Sequence, residues 1–529
     1  DAGISAAEKQ RGEGIRRVDM TPAVANGTVY IGSGDQSFYA IDATTGKKKW
    51  SYVAGPGMAS SIYTSYPVPA AVLKNGIVYF VTEDGLNALD AITGQRKWLF
   101  ETLQEIPLEN MNMRRKRTAS EPVMGDGVIF LTAWPPSLVD TPQARMSSLP
   151  RKSFVYAVDP RSGKANWVVS VDGTDISAPT TAKGLVFFTI KEGPQHNPSP
   201  LNRDKLYAIN AADGQVKWKF DAESSYGTPQ LLIAASAMHF STNKSLFALE
   251  METGRQLWSF GADDIRGGLR ADDKHLYAIT HKGTMARPDD TLHALALTNG
   301  HQKWSRGLSG NTHTAMVLDG VVYGGIEPLR ALDAATGKEL WSFKGMGRES
   351  ARLIFGGRIF LTSPTVTFIQ STRVDQGYLY AIDAKTGKVI WHFNTIPQDE
   401  KDQGWEIAGP TWVGGIRNGG GIWETPSIDT ELNSLYVAVA NPFGDSKKRA
   451  GINLFSDSII SLDLTTGKLN WYYQQVHHDV WDYDSGSPPI LFDMQVNGKP
   501  VKAVAEANKN GYLYILDRVT GQPVHPIKE

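Results

Sequence analysis

The 529-residue sequence contains no cysteine. This excludes disulfide bonds, zinc sites with thiolate ligands, cysteine nucleophiles and the C-x-x-C-H attachment motif of c-type haem. Long apolar runs are also missing, since no stretch approaches the roughly 20 residues that a membrane-spanning helix requires. We therefore expect no membrane span. The N-terminus opens on Asp1 and shows no secretory signal, which predicts a processed or trimmed chain.

An excess of positive charge is absent as well. Lysine and arginine number 54 against 55 aspartate and glutamate residues, a net charge of -1. Without a basic excess, binding to nucleic acid loses its main driving force, and we expect no nucleic-acid partner. The one strong basic cluster is interpreted as a solvated loop and consists of Arg114, Arg115, Lys116 and Arg117.

What the sequence does contain is a repeat, A-x-D-x-x-T-G-x-x-x-W. Nine copies end on a tryptophan and a tenth ends on a histidine; these residues are Trp50, Trp98, Trp167, Trp218, Trp258, Trp304, Trp341, Trp391, Trp471 and His525. Eight intervals separate Trp50 from Trp471, an average of about 53 residues, which fits one four-stranded blade per copy. The long intervals before Trp167 and Trp471 indicate inserted loops.

The repeat predicts an all-β β-propeller. Runs such as GTVYIGSG and GRIFLTS precede the copies and have the pattern of half-buried strands. Asp-x-x-Thr-Gly is turn chemistry, because the aspartate can cap the turn and glycine accepts a positive φ. The tryptophan then opens the next strand, where its ring can wedge between neighbouring sheets. We expect a single propeller domain over residues 1–529.

The repeat resembles the tryptophan-docking motif of the superfamily of pyrroloquinoline quinone (PQQ) dehydrogenases, which form mostly eight-bladed propellers. Cofactor-free relatives share this motif, including an outer-membrane assembly lipoprotein and a tetrathionate hydrolase. Residues of about 405–525 are more specific. They contain GGGIWETPSIDTELNSLYVAVANPFGD, YYQQVHHDVWDYD and NKNGYLYILDRVTG, which resemble the centre of the quinoprotein alcohol and sugar dehydrogenases in order and spacing. The resemblance favours eight blades, although ten copies are present.

The resemblance assigns roles to five residues. Trp423 corresponds to the tryptophan that stacks on the quinone, and Lys509 to the basic residue that contacts it. Asn441 corresponds to a metal ligand. Asp482 corresponds to the catalytic base and to a further metal ligand, and Asp484 could add another carboxylate to the metal. These residue types suit PQQ, a flat polyanion with an electrophilic carbonyl, together with a hard cation such as Ca²⁺ or a lanthanide.

Part of the family pattern is missing. Where the resemblance implies a metal-binding glutamate, the sequence FIQSTRVDQG offers Thr372, with Asp375 as a possible substitute, and His313 lies in the region of an expected arginine. The resemblance also implies about three further blades after the segment that ends near Glu529. Either the N-terminal copies close the ring in a rearranged order, or a C-terminal portion lies outside this sequence.

Three functions follow as alternatives. The first is a PQQ-dependent dehydrogenase, periplasmic or secreted, that oxidises an alcohol or polyol. It would pass electrons to a separate acceptor such as a cytochrome c or a quinone. The others are a cofactor-free binding or assembly propeller and a hydrolase. His477 and His478 are interpreted as structural, because adjacent strand residues point to opposite faces.

Overall fold

The computed structural model of the protein describes residues 23–33, 37–54, 71–82, 84–102, 118–134, 152–173, 175–192, 203–224, 229–262, 264–284, 287–309, 315–325, 328–345, 350–363 and 376–527. These residues form ten antiparallel sheets, each built from strands that are consecutive along the chain. The prediction of an all-β propeller of four-stranded blades is confirmed. The number of sheets is ten, one for each repeat copy, rather than the eight that the resemblance favoured.

The contacts divide the chain into two compact units. One contains residues 1–78, 90–95 and 345–529, and the other contains residues 79–89 and 96–344. The prediction of one domain over the whole chain stays a prediction.

The first unit holds sheets one, eight, nine and ten. Their strands are β1 Ala23–Ala25, β2 Thr28–Ser33, β3 Ser37–Asp42 and β4 Lys48–Val53 in sheet one; β30 Ser350–Phe355, β31 Arg358–Thr362, β32 Tyr378–Asp383 and β33 Val389–Asn394 in sheet eight; β34 Ser427–Asp429, β35 Ser434–Val439, β36 Ser458–Asp463 and β37 Leu469–Gln474 in sheet nine; and β38 Ile490–Val496, β39 Lys499–Ala507 and β40 Leu513–Asp517 in sheet ten. Between sheets eight and nine lie a short helix, α1 Trp405–Ala408, and the 3₁₀ turn Gly409–Thr411; a second 3₁₀ turn, Ser446–Lys448, interrupts sheet nine.

The second unit holds sheets three to seven. Their strands are β9 Thr118–Ala119, β10 Val123–Gly125, β11 Val128–Trp134, β12 Lys152–Val158 and β13 Ala165–Asp172 in sheet three; β14 Thr180–Ala182, β15 Leu185–Glu192, β16 Arg203–Asn210 and β17 Val216–Glu223 in sheet four; β18 Gln230–Ala234, β19 Ala237–Ser241, β20 Ser245–Glu250 and β21 Gln256–Gly261 in sheet five; β22 Ile265–Ala271, β23 His275–Thr284, β24 Arg287–Ala296 and β25 Gln302–Ser309 in sheet six; and β26 Met316–Leu318, β27 Val321–Gly324, β28 Leu329–Asp333 and β29 Glu339–Phe343 in sheet seven. Sheet two consists of β5 Val72–Lys74, β6 Ile77–Thr82, β7 Gly85–Asp90 and β8 Arg96–Glu101, and three boundaries of the division fall within it, after residues 78, 89 and 95.

In nine of the ten sheets the repeat copy forms the turn between the last two strands, and the tenth copy follows β40, the last strand of sheet ten. In sheet one the Asp42 carboxylate accepts hydrogen bonds from the backbone N–H and the hydroxyl of Thr45, at 2.7 and 3.0 Å. Gly46 follows with a φ of 64°. The pairing of β3 with β4 then shifts by one residue, which is a β-bulge. Trp50, the third residue of β4, therefore pairs with Ala40 on the far side of the bulge.

The tryptophan docks on the turn of the next copy. The Trp50 ring packs on Gly94 so closely that a Cβ atom there would lie 2.4 Å from Trp50 Cδ2. The indole N–H also donates to the carbonyl of Ala91 at 3.2 Å. Similar contacts join Trp391 to Gly467 and Trp471 to Gly521. The repeat thus encodes both a turn and the surface on which the preceding sheet packs.

The last sheet packs on the first by the same geometry. His525 replaces the tryptophan of the tenth copy, and its Nε2 lies 3.2 Å from the carbonyl oxygen of Ala43. A Cβ atom on Gly46 would lie 2.7 Å from His525 Cδ2. Side chains of both sheets share an apolar core that includes Val29, Met494 and Ile515. The departure from the repeat at His525 therefore keeps the docking function.

Candidate functional site

The five predicted site residues lie on four segments of the first unit. Trp423 precedes β34, Asn441 follows β35, Asp482 and Asp484 lie in the loop between β37 and β38, and Lys509 lies in the turn between β39 and β40. Contacts among these segments bring all five residues together.

Asn441 joins the two carboxylates. Its backbone N–H donates to Asp484 Oδ1 at 3.0 Å, and its Nδ2 donates to Asp482 Oδ1 at 3.1 Å. Because only the amide nitrogen can donate to a carboxylate, this contact fixes the orientation of the side chain. The Oδ1 atom of Asn441 is then buried without a hydrogen-bond partner among the described residues. A buried acceptor without a donor is unfavourable, and a cation would satisfy it.

Lys509 supplies the positive charge of the cluster. Its Nζ contacts Asp484 Oδ2 closely and lies 3.3 Å from Asp482 Oδ2. The Asp484 side chain is almost fully buried, whereas 61% of the Asp482 side chain is exposed. Burial raises the pKa of Asp484, and the ammonium of Lys509 opposes that rise. The two aspartates therefore have different environments: Asp484 is an interior anchor, and Asp482 faces solvent.

Trp423 provides an aromatic face beside this charge. The Nζ atom of Lys509 lies 5.6 Å from the centre of the Trp423 ring, within cation–π distance. Trp423 is 36% exposed, which is a large fraction for a tryptophan in a folded protein. The segment before it is fixed by a close approach of Gly419 to the Asn441 turn, where a Cβ atom would lie 2.5 Å from the carbonyl oxygen of Asn441. The partly exposed ring of Trp423 and the ammonium of Lys509 thus lie side by side.

Asp482 has a left-handed backbone conformation, with a φ of 69°. Its loop is held by Asp479, whose carboxylate oxygens each accept a backbone N–H at 2.8 Å, one from Trp481 and one from Tyr483. The buried guanidinium of Arg449 in turn donates to the Asp479 carbonyl at 2.6 Å. Such conformations persist where surrounding contacts enforce them, often at functional sites.

Sequence reasoning missed a buried polar network behind the cluster. Gln475 donates through Nε2 to Glu506, and its Oε1 accepts from Ser485 and from Asn508. An acid within the apolar strand VKAVAEA was a signal for Glu506, but nothing local reveals its partners.

Asp457 was also missed. It is fully buried, and burial followed by the charges of Asp479 and Asp484 raises its pKa well above the usual range.

Several sequence-based interpretations lie outside the described residues, namely Thr372, Asp375, His313 and the basic run of Arg114, Arg115, Lys116 and Arg117. His478 is described, and its Nδ1 lies 2.8 Å from the carbonyl oxygen of Gly451, a contact within the same unit.

A cation would find oxygen ligands here but not a dense acidic cage. In the described part of the chain, no three histidine, cysteine, aspartate or glutamate side chains are grouped so as to hold a metal ion. Asn441, Asp482 and Asp484 nevertheless carry amide and carboxylate oxygens, the ligand type that a hard cation prefers. Within the described ranges, no helix is long and apolar enough to span a membrane.

Two family models match the chain. The model described as "Glucose/ethanol/alcohol dehydrogenase, beta-propeller domain" matches residues 345–529, which contain the whole cluster. The model described as "Outer membrane protein assembly factor BamB" matches residues 7–153, 143–287 and 242–411.

Curated relatives include quinoprotein and quinohemoprotein alcohol dehydrogenases. The quinohemoprotein alcohol dehydrogenase ADH-IIG of Pseudomonas putida is 29% identical over 406 residues, which are 72% of this chain and 51% of the relative. The quinohemoprotein alcohol dehydrogenase of Comamonas testosteroni is 30% identical over 343 residues, or 60% of this chain and 43% of the relative. For PedH of Pseudomonas putida, a quinoprotein alcohol dehydrogenase, the identity is 28% over 61% of this chain and 52% of the relative.

A solved structure of ADHIIG from Pseudomonas putida HK5 shares 30% identity with a TM-score of 0.42, over 51% of this chain and 43% of that one. The chain thus spans about half the length of the curated relatives it matches.

The docked repeat and the sheets that it joins define a tryptophan-docking β-propeller. The chain belongs to the superfamily of the PQQ-dependent alcohol dehydrogenases, since both its N-terminal repeats and its C-terminal site region match models of that superfamily.

Proposed function

We propose that this protein is a PQQ-dependent dehydrogenase that oxidises an alcohol or polyol and passes the electrons to a separate acceptor, such as a cytochrome c or a quinone. The observation that carries the proposal is the convergence of Trp423, Asn441, Asp482, Asp484 and Lys509 in one cluster with a free amide oxygen. The match of residues 345–529 to the dehydrogenase propeller supports it.

The chain's own groups have separable roles in this proposal. When bound, PQQ would supply the electrophilic carbonyl that accepts hydride, and Ca²⁺ or a lanthanide would supply Lewis acidity. Asn441 Oδ1, Asp482 and Asp484 would hold the cation. The Trp423 face would orient the flat cofactor, and the Lys509 ammonium would balance its negative charge.

Asp482 is the group placed to move a proton. Its carboxylate is solvent-facing, and Asn441 and Lys509 hold it from two sides. A substrate hydroxyl could therefore reach one of its oxygens and transfer its proton there while hydride leaves the adjacent carbon. Asp484 is too deeply buried to meet a substrate, so the proton acceptor and the interior anchor are different residues.

The test is reconstitution with PQQ and either Ca²⁺ or a lanthanide, followed by dye reduction over a panel of alcohols and polyols. We expect turnover that requires both additions. Asp482→Asn should abolish turnover while PQQ still binds, whereas Glu400→Gln, which alters an exposed acid between sheets eight and nine, should leave it unchanged. Full turnover in Asp482→Asn would refute its role as base, and unchanged PQQ absorbance on mixing with the wild type would refute the function.

A binding or assembly propeller is the second candidate. The matches to the assembly-factor model, which fall between residues 7 and 411, favour it for the N-terminal repeats. It predicts that the chain binds no PQQ, so the same absorbance titration separates the two functions. Under the dehydrogenase proposal we expect the protein to be periplasmic or secreted, which fractionation of the producing cells would check.

A further inference from the structure

The loop that carries Asp484 and the turn that carries Lys509 are tied together from behind. Ser485 follows Asp484, Asn508 precedes Lys509, and both side chains donate to the same acceptor, the Oε1 atom of Gln475. The Asn508 amide lies 3.3 Å from that oxygen and 3.4 Å from the Ser485 hydroxyl. One amide oxygen thus fixes the spacing of the two segments that bear the anchor carboxylate and the ammonium.

The orientation of Gln475 depends on Glu506. The Nε2 atom of Gln475 donates to Glu506 Oε2, and the other carboxylate oxygen accepts from the N–H and the hydroxyl of Ser487, both at 3.4 Å. Because an ionised carboxylate only accepts hydrogen bonds, Gln475 must present its Nε2 donor to Glu506. Its Oε1 acceptor therefore points toward Ser485.

Glu506 is also an unusual residue for this position. It is 1% exposed, and among the described residues its hydrogen-bond partners are neutral. Burial raises the pKa of Glu506 to about 7. A glutamine would fill the same volume without this cost, so the acid at this site calls for an explanation beyond packing.

We propose that Glu506 is a positioning residue: its carboxylate orients the Gln475 amide, and that amide holds Asp484 and Lys509 at their working separation. The inference rests on the proposed dehydrogenase function, because it assigns Glu506 a role in that site. The inference predicts that substitutions of Glu506 change activity according to the hydrogen-bond donors and acceptors that they introduce, and not according to side-chain volume.

An exchange of the two side chains tests this pattern. In Glu506→Gln two amides face each other, so the new amide nitrogen either meets the Ser487 N–H or forces the Gln475 amide to turn around. In Gln475→Glu two carboxylates face each other. In the double variant Glu506→Gln/Gln475→Glu every donor again meets an acceptor. The new amide at position 506 donates to the new carboxylate at position 475, which still accepts from Ser485 and Asn508.

The experiment measures kcat, KM and PQQ affinity at pH 8, above the pKa of Glu506, together with the urea midpoint. Displacement by a fraction of an ångström predicts a loss of kcat of about tenfold or more in each single variant, a change in alcohol KM of less than about twofold, and recovery of kcat in the double variant. Glu431→Gln is the matched control. It breaks an ion pair with Lys502 that also joins sheets nine and ten but lies on the surface, and kcat should not change.

The outcomes separate this inference from the function on which it rests. Wild-type kcat in both single variants would overturn the inference, as would a double variant that folds stably yet remains as slow as the single ones. If the wild type shows no PQQ-dependent turnover, the proposed function fails. Crystal structures of the wild type and of Glu506→Gln then test the inference independently of activity. A shift of Lys509 relative to Asp484 supports the inference, and an unchanged position of Lys509 refutes it.

Discussion

Two glycines with the same φ make it possible to measure how much the docking of a tryptophan on a glycine turn contributes to stability. Gly467 and Gly357 both have a φ of 71°, so alanine is equally strained at either position. At Gly467 a Cβ atom would lie 2.4 Å from Trp391 Cδ2, whereas at Gly357 nothing lies within 4 Å. Any difference between the two alanine variants therefore reports the docking contact rather than the turn.

The expected magnitudes follow from these contacts. Gly357→Ala should cost about 1–2 kcal/mol for a left-handed non-glycine residue. Gly467→Ala carries the same cost, about 1–3 kcal/mol for overpacking, and about 1 kcal/mol for the indole hydrogen bond to the Leu464 carbonyl if the ring is displaced. The difference between the variants should be roughly 2–4 kcal/mol.

Urea denaturation followed by tryptophan fluorescence and circular dichroism measures this difference. A double-mutant cycle sharpens it: in a Trp391→Ala background, the added cost of Gly467→Ala should fall to that of Gly357→Ala. Equal midpoints for the two single variants, or an unchanged cost in the Trp391→Ala background, would show that the ring does not dock as described.

Three further predictions concern buried ionisable groups and the last sheet. Burial lowers the pKa of His239 to about 4, so the folded state resists its protonation and loses stability as the pH falls from about 6.5 to about 4. His239→Phe should flatten that pH dependence in urea titrations, by up to about 3 kcal/mol. Burial raises the pKa of Asp204 to about 6, so stability is lost as the pH rises from about 4 to 6. Asp204→Asn should be more stable than the wild type at pH 7 by up to about 3 kcal/mol, but not at about pH 3.5, and equal urea midpoints at pH 7 would contradict this. His525→Trp should raise the melting temperature in calorimetry, since a larger ring on Gly46 buries more apolar area, worth about 1–2 kcal/mol; a fall would indicate that this pocket fits only a histidine.

Much of the fold can be predicted from the repeat in the amino-acid sequence. Asp42, Thr45 and Gly46 are close enough in sequence to build a turn from local hydrogen bonds and one positive φ, and the same chemistry recurs along the chain. Because the code is local, an antiparallel sheet of about four strands could be predicted for each copy. The number of sheets follows the ten repeat copies and not the eight-bladed family pattern, because each copy builds its own sheet.

For the candidate site, motifs predicted which residues belong to it, and the structure shows how those residues contact one another. Asn441, Asp482 and Lys509 lie on different segments, and only folding shows that the amide of Asn441 donates to a carboxylate and leaves its oxygen free. The exposure that separates Asp482 from Asp484 is likewise tertiary, since the two residues are two positions apart in sequence. Glu506 belongs to none of the family motifs, and its one local signal is an acid within an apolar strand.

The sequence by itself therefore determined the repeat unit, the propeller class and the superfamily, since each depends on short-range patterns or on residue identity at fixed spacing. The tertiary structure alone decided that the last sheet packs on the first through His525, which of two neighbouring aspartates faces solvent, and that Gln475 joins Glu506 to Ser485 and Asn508. These features depend on contacts between distant segments, where burial and hydrogen-bond geometry, not local sequence, set the outcome.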